Sequence, residues 1–315
     1  MGENAKKIGD KLESFGKNLF NELGWIELTR DREIKCKRLS HHKQTHGIDL
    51  LCKFKNPYLQ GNQGVIIECK NRQMKSITQS NINEWVKELI NNIECAQSSD
   101  ELQDIDLSDI VKLNTGLLLI HANENWEREK FYTYLSNLKS INRRNPINIF
   151  IAGNDRIEMW TSILNLINKS YSNDFSFIYP SINNCNKAKI KSLSINAMFS
   201  KYFFGENTYY DTAQSGGKSY NIPKTQIIMF FLDEITIDNF KYAWSMFKHF
   251  QFQGEDKYTF LFYPRNPGDR EFVNENFIRS IQSGDHSIDD IEFSKINIGF
   301  IDNRSLSPVE TGGAL

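Results

Sequence analysis

The chain lacks a CxxC pair, and its five cysteines, Cys36, Cys52, Cys69, Cys95 and Cys185, are odd in number and irregularly spaced. Neither a disulfide framework nor a zinc site is signalled, and reduced thiols are expected. No apolar run approaches the ~18 residues that cross a bilayer, so no membrane partner is expected. The opening MGENAKKIGDKLE is polar and unlike a signal peptide. These absences point to a soluble, cytoplasmic protein. A dominant charge is missing too: 38 Lys/Arg stand against 39 Asp/Glu, which argues against a histone-like or polyanionic chain. The balance conceals an asymmetry. Residues 1–80 hold 15 basic and 9 acidic side chains, whereas residues 81–170 hold 9 and 13. A phosphate-binding loop is also absent. GGKS at 216–219 has Thr212 where the motif needs its first glycine, and no apolar strand leads into it.

What is present is a chain of 315 residues, enough for about two domains. Its 12% aromatic content offsets a modest 39% hydrophobic content and can fill a sizeable core. Ile8, Leu12, Phe15, Leu19, Phe20 and Leu23 recur at helical spacing, with Gly24 as the expected C-cap. WIELTRDREIKCKRL reads as a strand running into a charged hairpin or loop. GIDLLCKFK (47–55) and GVIIECK (64–70) read as strands separated by turn residues. A helix follows, with Ile82, Trp85, Val86, Leu89, Ile90 and Ile93 on one face. Its start is expected at Ser80 or Asn81, with Asn81 and Glu84 resembling a capping box. After an acidic loop at 100–109, the strand TGLLLIHA, a helix, the strand PINIFIAG and another helix complete the order αβββαβαβα. Continuous apolar strands alternating with helices imply a sheet covered on both faces.

Residues 169–224 are rich in Asn, Ser and Gly and read as an irregular connector. Residues 225–303 resume the alternation as a smaller βαβαβ domain, and 304–315 read as a disordered tail. The βα turn at YPRNPGDRE puts Arg265 and Arg270 where open sheets bind ligands, although Asp269 as a plain helix cap accounts for the same residues.

One stretch carries chemistry. GVIIECK runs from buried β-formers into Glu68 and Lys70, residue types that are seldom buried. If 49–55 and 64–70 pair as a hairpin, Asp49 lies opposite the Glu68–Lys70 end. Strand alternation then sets Glu68 and Lys70 on one face and Cys69 on the other. Two neighbouring carboxylates repel unless a cation lies between them, and oxygen ligands with room for water suit Mg²⁺. A metal beside a lysine is the equipment for hydrolysing a phosphodiester. The other ExK sequences, Glu33–Lys35 and Glu255–Lys257, end no apolar strand.

Gly47-Ile48-Asp49 followed by the strand ending Glu68-Cys69-Lys70 resembles the PD-(D/E)xK, restriction-endonuclease-like nuclease superfamily, and is similar to its Mrr-like type IV restriction branch. The resemblance covers roughly residues 8–155. It implies an α/β fold with an αβββαβ nuclease domain over residues 1–168. It also implies metal ligation by Asp49 and Glu68, with Lys70 catalytic. Glu13, on the first helix ahead of Gly24-Trp25, is implied to bind or orient metal and water, with Glu22 as its substitute. Mg²⁺ is the implied cofactor, with Mn²⁺ able to replace it. The implied substrate is DNA, with RNA, including tRNA, or a non-catalytic DNA-binding subunit as alternatives. A homodimer or a partner subunit, and a role in bacterial restriction or anti-phage defence, follow by the same analogy. The loop with Lys35, Lys37, Arg38, Lys43 and His46 is expected to contact phosphates, as are Arg72 and Gln73 after the ExK strand. His41 and His42 share that loop. With no paired cysteines or second histidine cluster, it is not expected to hold zinc.

Overall fold

The computed structural model describes residues 2–139, 146–171, 174–180, 188–215, 217–250, 252, 255–284 and 293–306. The chain forms two compact units that divide between Glu158 and Met159. None of its described helices is long and apolar enough to cross a membrane.

The first unit runs α1 (Gly2–Glu22), β1 (Ile26–Lys35), β2 (Thr45–Lys55), β3 (Asn62–Arg72), α2 (Gln79–Ala96), β4 (Ile110–Ala122), α3 (Arg128–Ser136) and β5 (Asn148–Ala152), followed by α4 (Asn154–Ser170), within which the division falls. This is the expected order. The strands lie side by side as β1-β2-β3-β4-β5. β1, β2 and β3 pair antiparallel, and β3, β4 and β5 pair parallel.

Each helix covers one face because its apolar stripe has a complementary face to bury against. On one side α1 buries Leu12, Leu19 and Phe20. Its Gly16 rests on Leu50 of β2 and Leu119 of β4. Gly24 closes this helix with φ of 80°, and the Trp25 N–H returns to the Phe20 carbonyl at 2.9 Å. Trp25 then stacks between Phe20 and Phe54, with ring centroids 5.0 and 4.9 Å away. On the other side α2 packs Ile82, Leu89, Ile90 and Ile93 against Ile48, Leu51, Ile66, Leu118 and Ile120. Its cap is Thr78, whose side chain accepts the Asn81 N–H. The helix therefore starts ahead of the expected Ser80 or Asn81.

Gly116 lets α2 approach closely, since an added Cβ would lie 2.8 Å from Leu89 Cγ. Leu89 is fully buried. Leu89→Ala is therefore expected to cost about 2–5 kcal/mol. Urea unfolding should show this as a lowered midpoint with an unchanged slope.

The second unit holds β6 (Ser176–Tyr179), β7 (Ala188–Ile190), α5 (Ile195–Met198), β8 (Tyr202–Ser215), β9 (Lys218–Phe231), α6 (Ile237–His249), β10 (Lys257–Phe262), α7 (Asp269–Gly284) and β11 (Ile296–Phe300). Its sheet has the order β11-β10-β9-β8-β6-β7. The expected βαβαβ segment is present, with β9, β10 and β11 parallel. The expected connector over 169–224, however, supplies β6, β7 and β8 to the same sheet. Its polarity misleads because β8 and β9 form a long hairpin whose far half is mostly exposed, so no apolar pattern marks it there. Of the GGKS motif, Lys218 and Ser219 begin β9, and Gly217 before them has φ of 76°.

The first boundary also moves, from 168 to 158. Within the second unit, the Trp160 indole N–H donates to the Met198 carbonyl at 3.1 Å, and Ser162 accepts the Arg304 N–H at 2.8 Å. The α4 residues after the division thus bond to later segments of the second unit. The second unit is nearly as long as the first, not a small appendage. Of the expected tail, residues 307–315 lie outside the described residues.

Candidate active site

The β2–β3 register pairs Leu50 with Ile67, which sets Asp49 across from Glu68 at the open end of the hairpin. Alternation places Glu68 and Lys70 on the face of Ile66, the α2 side. Cys69 points to the α1 side. Lys70 Nζ donates to Glu68 Oε1. The Cys69 backbone N–H donates to Asp49 Oδ2 at 2.7 Å. From α2, Asn92 Nδ2 donates to the Gly47 carbonyl at 2.8 Å and reaches Glu68 Oε2 at 3.4 Å. Three groups named from the sequence thus meet at one end of the sheet.

Their charges are strongly coupled. Glu68 is 6% exposed. Burial first, and the Asp49 charge second, push its carboxyl up to about 7 against the pull of Lys70. Burial also raises Asp49, opposed by the Cys69 N–H and by Lys70. For Lys70, burial acts to lower the ammonium. The charge and hydrogen bond of Glu68, with Asp49 and Glu88, outweigh it and hold Lys70 above the ordinary lysine value. Lys70 is therefore a fixed cation at neutral pH, suited to binding negative charge rather than to taking up a proton. Two carboxylates both raised by burial, one of them also by its neighbour's charge, form a donor set that a hard divalent cation satisfies. Asp49 and Glu68 fit such an ion.

Several participants carry no motif. Asp31 lies between the β1–β2 pairs Arg30–Leu50 and Arg32–Ile48, and so across from Asp49, whose carboxyl it helps to raise. It holds φ of 49°, a left-handed conformation that a non-glycine residue adopts at a cost of about 1–2 kcal/mol. Glu88 and Asn92 come from one face of α2, four residues apart, a spacing that puts side chains next to each other. Glu13 is half-buried on α1. Burial first, and then the charges of Asp49, Glu13 and Glu68, raise the Cys69 thiol, so Glu13 acts on the same strand end as the two carboxylates. Glu22 is exposed at the end of α1.

The basic loop is already matched with acid. Lys35 lies 3.7 Å from Glu101, Lys37 2.8 Å from Asp100, Arg38 3.7 Å from Glu94 and Lys43 2.7 Å from Glu88. Exposed pairs of this kind contribute about 0–1 kcal/mol, so a phosphate can displace them. Arg72 and Gln73 are exposed at the end of β3. His46, by contrast, is 3% exposed, which removes it from any surface that a nucleic-acid backbone reaches. Its ring instead lies 3.3 Å from His41 within a group that also holds Cys36 and Cys95. The absence of paired cysteines along the chain does not keep two of them from these histidines in the fold. The ligand-bearing atoms meet only after β1, the following loop, β2 and α2 have packed.

Residues 1–156 match the family model described as the GAPS4 protein PD-(D/E)XK nuclease domain. The match ends close to the division between the two units. No curated protein matches the chain.

Proposed function

We infer, for a chain whose residues 1–156 belong to the PD-(D/E)XK nuclease superfamily, that Asp49, Glu68 and Lys70 are the catalytic centre of a divalent-metal-dependent endonuclease acting on DNA. The observation that carries this reading is the meeting of Asp49, Glu68 and Lys70 at one strand end, with Lys70 bonded to Glu68 and Asp49 held by the Cys69 N–H. Burial raises both carboxyls, as is found where titratable groups are arranged for function.

Asp49 and Glu68 would hold the cation, for which Mg²⁺ is the best fit and Mn²⁺ a substitute. When bound, the ion supplies Lewis-acid polarisation of the phosphodiester and lowers the pKa of water beside it. The chain's own groups do the rest. The Cys69 N–H fixes one Asp49 oxygen. Asn92 steadies Glu68 from α2. The Lys70 ammonium offers hydrogen bonds and positive charge to the phosphoryl oxygens as negative charge builds in the transition state. Lys35, Lys37, Arg38 and Lys43 lead into β2 and supply the cations that would track the DNA backbone.

Cutting both strands needs two such centres, so a homodimer or a partner subunit fits this reading. The second unit then serves recognition or control. Restriction or anti-phage defence is the biological role that the family resemblance favours.

The test is to incubate the full chain with supercoiled DNA, linear DNA and total RNA, in Mg²⁺, Mn²⁺ or EDTA. Both DNA forms should be cut in either metal and spared in EDTA. Cleavage of RNA with DNA intact would transfer the site to RNA. Undiminished cutting in EDTA would reject the metal-dependent reading.

A further inference from the structure

Cys36, His41, His46 and Cys95 bring one ligand atom each to within 4.8 Å of every other. Cys36 follows the last residue of β1, His41 ends a short helical turn at 39–41, His46 is the second residue of β2, and Cys95 lies in the last turn of α2. We propose that these four side chains form a structural zinc site separate from the catalytic carboxylates.

The distances carry the proposal. With Zn–S of about 2.3 Å and Zn–N of about 2.0–2.1 Å, a regular tetrahedron has edges of about 3.8 Å for S–S, 3.5–3.6 Å for S–N and 3.3–3.4 Å for N–N. The Cys36 and Cys95 sulfurs lie 3.8 Å apart. His41 Nδ1 lies 3.5 Å from each sulfur and 3.3 Å from His46 Nε2. Four of the six edges therefore have the lengths of a Cys₂His₂ zinc tetrahedron.

Hydrogen bonding alone does not explain the arrangement. His41 Nδ1 has either one proton or one lone pair, yet three heteroatoms converge on it. A shared cation at the centre gives all four atoms a reason to face inward. The outward ring atoms are served as metal-bound imidazoles usually are. His41 Nε2 meets Glu94 Oε2 at 3.0 Å, and His46 is hydrogen-bonded by the Asn92 side chain. His46 and Cys95 are buried and Cys36 half-buried. Four protein ligands leave no open position, which defines a structural rather than a catalytic zinc.

The site also ties the 36–46 segment, which leads into Asp49, to α2. Asn92 contacts His46, Gly47 and Glu68, so it joins this cluster to the catalytic face.

The proposal does not depend on nuclease activity and is tested without it. Full-length protein purified in the absence of chelator should contain one equivalent of zinc per chain by elemental analysis. A mercurial thiol reagent should release that zinc. Cys36→Ser, at a half-buried position, should lose it, while Asp49→Asn/Glu68→Gln should keep it. Should Cys36→Ser prove insoluble, Co²⁺ exchanged into the wild-type chain gives the same answer. Tetrahedral thiolate ligation produces a sulfur-to-cobalt charge-transfer band and intense visible d–d bands. Three results overturn the site: zinc-free protein with no such bands, a Cys36–Cys95 disulfide in the native protein, or zinc lost from the carboxylate variant but retained by Cys36→Ser.

Discussion

Lys70→Ala is expected to lower the rate of Mg²⁺-dependent DNA cleavage by about 10²- to 10³-fold, the usual cost of removing one positioned electrostatic donor. The expectation rests on the charge state of this lysine. It is bonded to Glu68, lies within reach of the Asp49 charge and is held above the ordinary lysine value despite its burial. On the proposed mechanism its ammonium meets phosphoryl charge that grows in the transition state, so the loss should fall mainly on kcat. A second effect accompanies it. Without Lys70, Glu68 loses the group that favours its ionised form, so its affinity for protons should rise and its affinity for metal at neutral pH should fall. Cleavage rates measured across a Mg²⁺ series should therefore show a lower plateau and a higher half-saturating concentration. Lys70→Arg keeps the charge and should recover part of the plateau. An unchanged rate in Lys70→Ala would remove the lysine from the catalytic centre.

The second large effect is on stability. In metal-free protein at pH 8, Glu68→Gln should be more stable than the wild type, although its cleavage is abolished. The Glu68 carboxyl is raised from 4.5 to about 7 in the folded chain, by burial and then by Asp49. Between these values the folded state binds more protons than the unfolded state, so stability falls as pH rises. The favourable contribution is complete below pH 4.5 and is lost as pH climbs through 7. Each pKa unit corresponds to about 1.4 kcal/mol, so the loss is on the order of 1–3 kcal/mol, its upper end reduced by coupling to Lys70. Glutamine removes the charge, keeps an acceptor for Lys70 and avoids the loss. Thermal unfolding in EDTA should give parallel wild-type and variant curves near pH 4.5 that diverge by pH 8. Mg²⁺ should then raise the Tm of the wild type and leave the variant unmoved, because a ligand stabilises the state that binds it. Parallel curves across the whole range would mean that Glu68 is not buried in its charged form.

Periodicity and alternation were enough to read the first unit. The apolar runs of β2, β3 and β4 mark a sheet buried on both faces, and the stripes of α1 and α2 mark the helices that cover it. The Asp49–Glu68–Lys70 group was legible for a local reason. A hairpin turn fixes register, and register fixes which side chains face each other. The second unit was legible only from β9 onward, where strands are continuously apolar. The β8–β9 hairpin escaped because its exposed half has no face to hide, and hydrophobic pattern is a signature of burial.

The residues around the catalytic group show where sequence reading ends. Asp31 faces Asp49 through the pairing of β1 with β2. Asn92 and Glu88 approach Glu68 only because α2 lies across that face of the sheet. Glu13 has the spacing of a family motif, and its charge reaches the Cys69 thiol only because α1 has packed on the sheet. Cys36, His41, His46 and Cys95 look unrelated along the chain, because a rule that seeks closely spaced pairs cannot see ligands from two strands, a loop and a helix. Side-chain alternation and helical spacing over short distances were enough for the strands and helices of the first unit and for the carboxylate–lysine pairing within one hairpin. Tertiary packing alone decided which helix faces the site and brought two cysteines and two histidines to a common centre, since those distances exist only once separate elements have buried their apolar faces together.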